Sequence, residues 1–353
     1  MKPTPFTRRL GIAHPVVLAP MAGGPSTTAL CIAVCEAGGL GSHAGAYLAP
    51  DKLREEIRTL RAATSRPFAV NLFADEGVAA DEAIVRAARD ALARYRAELG
   101  LPPTPPGPAV TSGTLREVFP ILLEERVPIF SFTFGIPPRE MLDACRKASI
   151  ATMGTATTVA EARALEDAGV DYVCAQGAEA GGHRGTFDRD AEPGLVGTMA
   201  LVPQIVDAVR IPVIAAGGIM DGRGIAAALA LGAGAAAMGT AFLRCPEAGT
   251  SAPFRAALRE ARDDSTVITR AFSGRAARGL QNRFTREMAT APLAPFAVQN
   301  SLTREIRGAA AKAGDAGLLS LFAGQAAPLA REQPARELMA GFLREAEAVI
   351  ARL

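Results

Sequence analysis

At 353 residues, with 49% apolar and 21% charged positions, the chain can hold one large domain plus a smaller appendage around a substantial core. A net charge of +2 argues against a dedicated nucleic-acid binder, and 34 of the 38 basic residues are arginine, a bias that fits GC-rich coding better than a functional basic surface. Five cysteines without a CxxC pair or a metal-ligand spacing argue against a disulfide framework and suit a reducing compartment.

Short apolar runs alternate with Ala-rich amphipathic stretches, the rhythm of βα units around a parallel sheet. The strand expectations, in order, are Val16–Met21, Leu40–Ala46, Phe68–Phe73 and Ile129–Gly135, then Ile150–Thr155, Tyr172–Gly177, Pro212–Gly218 and Ala235–Leu243. Eight such strands favour a closed (β/α)₈ TIM barrel over an open doubly wound sheet. The N-terminal MKPTPFTRRLGIAHP lacks the apolar core of a signal peptide, which sets the expectation of a cytoplasmic protein. Between Phe73 and Ile129 lies an insertion at about 75–108, with a charged helix at Asp81–Leu99 and a stiff LPPTPPGP stretch at 101–108. Gly224–Leu243 carries no charge, but glycines at 232, 234 and 239 break it into helix, turn and strand rather than a membrane span.

After Leu243 the alternation stops. Residues 1–245 are expected to form the barrel, 246–320 a smaller, mostly helical cap over its mouth, and 321–353 a final helix returning to the barrel. From Thr250 onward there are 15 basic and 10 acidic residues; a basic cap would suit an anionic substrate, and solvated helix faces would account for it equally.

Working groups of such barrels sit at the C-terminal ends of the strands, with phosphate held after strands 7 and 8. Those strands end in PVIAAGGIMDG and AAAMGTAFL, so Gly217, Gly218, Gly239 and Thr240 can offer backbone N–H groups to one phosphate. GLGSHA and GAGAAA match a dinucleotide fingerprint only formally, because each precedes its strand. A single phosphate cup therefore favours FMN over NAD or FAD, and no metal site is expected. Ala19–Gly24, including Met21, Ala22 and Gly23, can run flat beneath a planar ring. Asn71 and Gln176, at the ends of strands 3 and 6, can both donate and accept at the edge of that ring. His183 follows Gly181 and Gly182 in what reads as a mobile loop, and it is the candidate catalytic group. His43 is expected to serve packing, and His14 to be structural.

Together VVLAPMAGGPS, AVNLF, DYVCAQGAEAGGHRG, PVIAAGGI and MGTAFL resemble, in order, the motif series of the class I nitronate monooxygenases, formerly 2-nitropropane dioxygenases. FSGRAARGLQNRF, VQNSLT and SLFAGQAAPLAR are similar to cap motifs of the same family. The resemblance implies a TIM barrel, noncovalent FMN, and oxidation of alkyl nitronates to a carbonyl compound and nitrite by one-electron transfer to flavin and reaction with O₂. It also implies flavin contacts at the residues named above and at Gln325, with His183 over the reactive face. A nitronate needs only to be oriented by His183, whereas a neutral nitroalkane would need its α-proton removed. Thr133, Phe296 and Phe322 stand where relatives carry His, Tyr and Trp, which puts the substrate in question more than the cofactor. Two alternatives remain open: an FMN barrel that reduces quinones with NAD(P)H or the enoyl group of acyl-carrier-protein thioesters, and a non-redox barrel for a phosphorylated ligand. The partners expected are a small nitronate or nitroalkane and O₂, with no nucleic acid and no membrane, in a monomer or homodimer.

Overall fold

A short helix, α1 (Pro5–Leu10), precedes β1 (Val16–Leu18), α2 (Thr28–Glu36), β2 (Gly41–Ala44), α3 (Pro50–Ala63) and β3 (Phe68–Phe73). Two helices, α4 (Glu82–Glu98) and α5 (Leu115–Glu124), lie between β3 and β4 (Ile129–Thr133). Then come α6 (Arg139–Lys147), β5 (Ala151–Ala156), α7 (Val159–Asp167), β6 (Tyr172–Gln176) and the two-residue β7 (Gly182–His183). After α8 (Thr198–Ala208), β8 (Val213–Ala216), α9 (Gly222–Ala230) and β9 (Ala235–Met238), the chain runs through α10 (Ala252–Arg259), β10 (Thr266–Thr269) and β11 (Ala277–Leu280). It ends with α11 (Arg283–Glu287), α12 (Val298–Ala313) and α13 (Ala335–Ile350). This is a computed structural model that describes residues 1–75, 80–104, 114–188 and 190–352, so the expected proline-rich stretch from 105 to 108 lies outside it.

Eight strands form one parallel sheet in the order β1-β9-β8-β6-β5-β4-β3-β2. The seam between β1 and β2 is joined at Leu40, which donates to Val16 O and accepts from Leu18 N, both at 2.9 Å, so the sheet closes on itself as a TIM barrel. Strands buried on both faces explain why their sequences read as continuous apolar runs rather than alternating ones. The strands stop earlier than expected at β1, β8 and β9, because residues 19–22, 217–218 and 239–242 leave the ladder to shape the rim.

Inside the barrel, Val17, Ala69, Ile129, Met153, Tyr172 and Ile214 pack together, and Phe6 of α1 joins them from the N-terminal side. The Phe6 and Tyr172 rings meet edge to face at 5.3 Å. Upward from this layer the inward side chains shrink to Ser42, Asn71, Ser131, Cys174, Ala216 and Ala237, leaving space at the mouth. The last helix, α13, packs on α9 and α2 and so stands in the eighth helical position of the barrel. That contact is close: a Cβ on Gly222 would meet the backbone N of Ala346 at 2.2 Å.

A second apolar cluster joins Phe254, Leu258, Phe272, Phe284, Leu302 and Ile306 with Ala88, Leu92 and Tyr95 of α4, so the helix inserted after β3 packs with the segment after β9. Beyond Leu243, where a mostly helical segment is expected, two strands accompany the helices. β10 and β11 form an antiparallel ribbon, and β11 pairs in turn with β7, Ala277 opposite His183 and Arg278 opposite Gly182. The mobile loop expected at His183 is thus an ordered strand, because the ribbon supplies the ladder partners that a local reading cannot see. No helix among the described residues is long and apolar enough to cross a membrane.

Candidate active site

A cavity of about 710 Å³ opens between the C-terminal ends of the barrel strands and the segment after β9. It brings together Met21, Ala22, Gly23, Asn71 and Gln176 with Gly181, Gly182 and His183, and with Gly217, Gly218, Gly239 and Thr240. Gln325 stands apart: its side chain is exposed, and its backbone N–H donates to Glu179 O at 3.0 Å, although its neighbours Gly324 and Ala326 do line the cavity.

The turns after β8 and β9 face each other across one end. Gly217 and Gly218 take positive φ of 119° and 70°, and among the described residues neither N–H, nor that of Gly239, has an acceptor. A side chain at 217 would meet Thr198 Oγ1 at 2.8 Å, so the backbone there is bare by necessity. Thr240 Oγ1 accepts from Gly324 N at 3.0 Å and ties the β9 turn to the segment before α13. Glu179 binds the backbone N and hydroxyl of Thr198 at 2.9 and 2.8 Å, which fills the N-terminus of α8 with a carboxylate. An anion is therefore directed to the unpaired glycine amides and away from α8. These groups fit one phosphate.

At the other end β7, reached through the loop after β6, carries the imidazole. Gln176 uses its amide to shape this loop: Nε2 donates to His183 O at 2.9 Å and Oε1 accepts from Gly185 N at 2.8 Å. Two buried arginines bind the same loop, Arg184 donating to Gly177 O at 2.6 Å and Gln176 O at 2.9 Å, and Arg278 donating to Ala178 O at 2.8 Å. Asn71 is buried, donates to Ser131 Oγ at 3.1 Å and lines the cavity.

His183 Nε2 lies 2.7 Å from the hydroxyl of Ser273, itself buried, and Nδ1 has no partner among the described residues. The rings of Phe322, Phe134 and Phe296 surround the imidazole at centroid distances of 5.2, 5.6 and 5.9 Å. Burial, with further contributions from Arg275 and Arg307, lowers its pKa to about 3, so the imidazole is neutral at physiological pH. Arg275 stacks over Phe134 at 4.0 Å and pairs with Asp75 at 2.8 Å. Of the three positions that depart from the family pattern, Thr133 and Phe322 line this part of the cavity and Phe296 packs on His183, while the Thr133 hydroxyl lies 3.3 Å from that of Thr155. His43 is buried away from it, its Nε2 at 2.7 Å from Glu56.

The sequence reading missed several groups. Ser273 and Arg275 belong to FSGR, a motif noted only for its resemblance. Tyr47, Asn300, Arg304 and Arg307 also line the cavity, and only the arginine excess after Thr250 hinted at the last two.

Three comparisons bear on this geometry. A curated nitronate monooxygenase of Pseudomonas aeruginosa is 45% identical over 345 residues, covering 96% of this chain and 98% of the relative. The solved nitroalkane oxidase of Streptomyces ansochromogenes superposes with a TM-score of 0.92 at 43% identity, covering 99% of both chains. FabK of Thermotoga maritima superposes at 0.77 with 31% identity, covering 100% of this chain and 98% of that one. The family model for nitronate monooxygenase matches residues 4–345, so the chain belongs to the nitronate monooxygenase family.

Proposed function

We propose that this protein is an FMN-dependent enzyme that oxidises alkyl nitronates with O₂ to a carbonyl compound and nitrite. The observation that carries the reading is the pairing, in one cavity, of unpaired amides at Gly217, Gly218 and Gly239 with an enclosed His183. The flavin, when bound, would supply the electron-accepting ring. Gly217, Gly218, Gly239 and Thr240 would hold its phosphate, and Asn71 and the flat Met21–Gly23 segment would meet its ring. With one such set of bare amides at the mouth among the described residues, FMN fits better than FAD.

The chain's own contribution at the reacting end is orientation and exclusion of water. Phe134, Phe296 and Phe322 form an apolar wall, where electrostatic contacts are stronger than in water. A neutral imidazole with a pKa of about 3 is a poor base toward a neutral nitroalkane, which favours a substrate that arrives already deprotonated. Ser273 can accept from Nε2–H or donate to Nε2, and the second arrangement leaves Nδ1–H available to donate to the nitronate. His183 then acts by hydrogen bonding and positioning.

The likeness to FabK keeps a reductase reading in view, and one experiment separates the two. Oxygen uptake and nitrite release on adding an alkyl nitronate, with no pyridine nucleotide present, are expected from the oxidase reading. Turnover that requires NADH or NADPH would replace it with the reductase.

A further inference from the structure

Five rings form one continuous arc on the cavity wall. Tyr47 meets Phe73 at a centroid distance of 5.3 Å, Phe73 meets Phe134 at 4.5 Å, Phe134 meets His183 at 5.6 Å, and His183 meets Phe322 at 5.2 Å. Successive ring planes are inclined by 81°, 42°, 84° and 63°, so faces and edges alternate along the arc. Phe296 packs behind it, against Phe73, Phe134 and His183 at 6.0, 5.4 and 5.9 Å. Aromatic residues make up only 5% of the chain, so composition does not account for their collection around the imidazole. Phe73 ends β3 and Phe134 follows β4, across the eight-stranded barrel from the bare amides after β8 and β9.

Phe134 is the strained member of the arc. Its φ of 75° is a left-handed conformation that an aromatic residue rarely adopts, and such strain persists only where the surroundings impose it. Here Arg275 stacks on the ring at 4.0 Å, pairs with Asp75 at 2.8 Å and donates to Thr186 O. The ring is thereby held beside His183. An alkyl chain against this wall gains only from the area it buries. A flat ring gains in addition from edge-to-face and offset contacts, which planes inclined by 42° to 84° can supply. The acid–base chemistry leads to the same ligand. Because the neutral His183 is a poor base, the substrate must arrive as the anion. An aromatic ring on the nitro-bearing carbon delocalises the carbanion, so an arylnitromethane is a stronger carbon acid than a nitroalkane. A larger share of it is therefore anionic at neutral pH.

We infer that this arc is the binding wall for an aromatic ring on the substrate, that the preferred substrates are aryl nitronates, and that Phe134 is a specificity-determining residue. This rests on the nitronate reading and names its substrate class. The arc binds and orients, and no proton or electron moves on its phenylalanines.

The test uses the purified holoenzyme and the variants Phe134→Leu and Phe73→Leu, which keep apolar volume and remove a ring. The reacting probes are the preformed nitronates of phenylnitromethane and of 1-nitrobutane. Benzoate and cyclohexanecarboxylate serve as non-reacting anions of matched size, one flat and aromatic and one not, with binding followed by calorimetry. Wild-type enzyme should bind benzoate about 3- to 10-fold more tightly than cyclohexanecarboxylate, the span that aromatic contacts supply beyond buried area. Its kcat/KM should favour the phenyl nitronate over the butyl nitronate by about 10-fold. In Phe134→Leu both preferences should shrink by about 3- to 10-fold. Phe73→Leu should shrink them in the same direction, and it carries the test if the strained position does not tolerate leucine. Equal binding of the two carboxylates by wild type, or equal use of the two nitronates, would overturn the inference. So would variants in which activity on both nitronates falls by one factor with the ratio intact, since a purely structural role for the rings gives that result. Absence of turnover with either nitronate, with no pyridine nucleotide present, would remove the nitronate reading. Carboxylate binding needs no turnover, so failure of that reading is distinguishable from failure of the arc.

Discussion

Only three histidines are present, His14, His43 and His183, so a histidine-labelled sample gives an NMR titration that reads each one. His183 should not titrate between about pH 5 and about pH 8, because burial and two nearby arginines hold its pKa near 3. The sign follows from linkage. The folded value lies below the unfolded one of about 6.5, so the stability held by the neutral ring is complete above that pH and is lost progressively as the pH falls toward the folded value. At about pH 5 the unfolded chain has taken up a proton that the folded chain refuses, a cost of about 2 kcal/mol at 1.36 kcal/mol per tenfold. His183→Asn removes the titrating group, so between neutral pH and about pH 5 the wild type should lose about 2 kcal/mol more than this variant in urea unfolding. The same variant assigns the resonance. An imidazole midpoint near 6.5 in the folded protein, or identical pH slopes for the two proteins, would refute the enclosure of His183 and the substrate preference built on it.

Further predictions concern the two ends of the cavity. Ser273→Ala, which removes the hydroxyl at 2.7 Å from His183, should lower kcat on a nitronate by about 10-fold while flavin stays bound, as measured by steady-state oxygen uptake. Gly218→Asp should abolish flavin retention through repulsion at a few ångströms, whereas Gly218→Ala, which carries only the backbone strain of a φ of 70°, should keep part of it. Flavin fluorescence after gel filtration reads both, and a fully yellow Gly218→Asp protein would place the phosphate elsewhere. On wild-type enzyme, a preformed nitronate should be turned over at least about 10²-fold faster than its neutral nitroalkane, since the weak imidazole withholds general-base help. Equal rates would return proton abstraction to His183.

The barrel was legible because each buried strand carries its own local signal, an apolar run bounded by glycine or by a helix cap. The glycines at 217, 218 and 239 were legible for a related reason, since bare backbone at adjacent strand ends has few other uses. Long-range pairing was not legible. Thr266–Thr269 is a β-branched run that could have been read as a strand, but Ala277–Leu280 and Gly182–His183 carry no such pattern and are strands only because they meet. Gln176 lines the cavity, yet its amide bonds to the backbone of His183 and Gly185, which only distances reveal. Arg307 was lost among the many arginines of the cap, because composition cannot show which of them lines the cavity. Of the departures at Thr133, Phe296 and Phe322, the first and last line the cavity, and Phe296 and Phe322 are two of the rings enclosing His183.

The central claim, a flavin reduced directly by a nitronate in this cavity, is tested most directly by the visible spectrum of the purified holoenzyme during anaerobic addition of an alkyl nitronate. The account predicts loss of the flavin band with nitronate alone, its return on admitting oxygen, and FMN as the flavin released on denaturation. A flavin band that is unchanged by nitronate and bleached only by NADH or NADPH would contradict it.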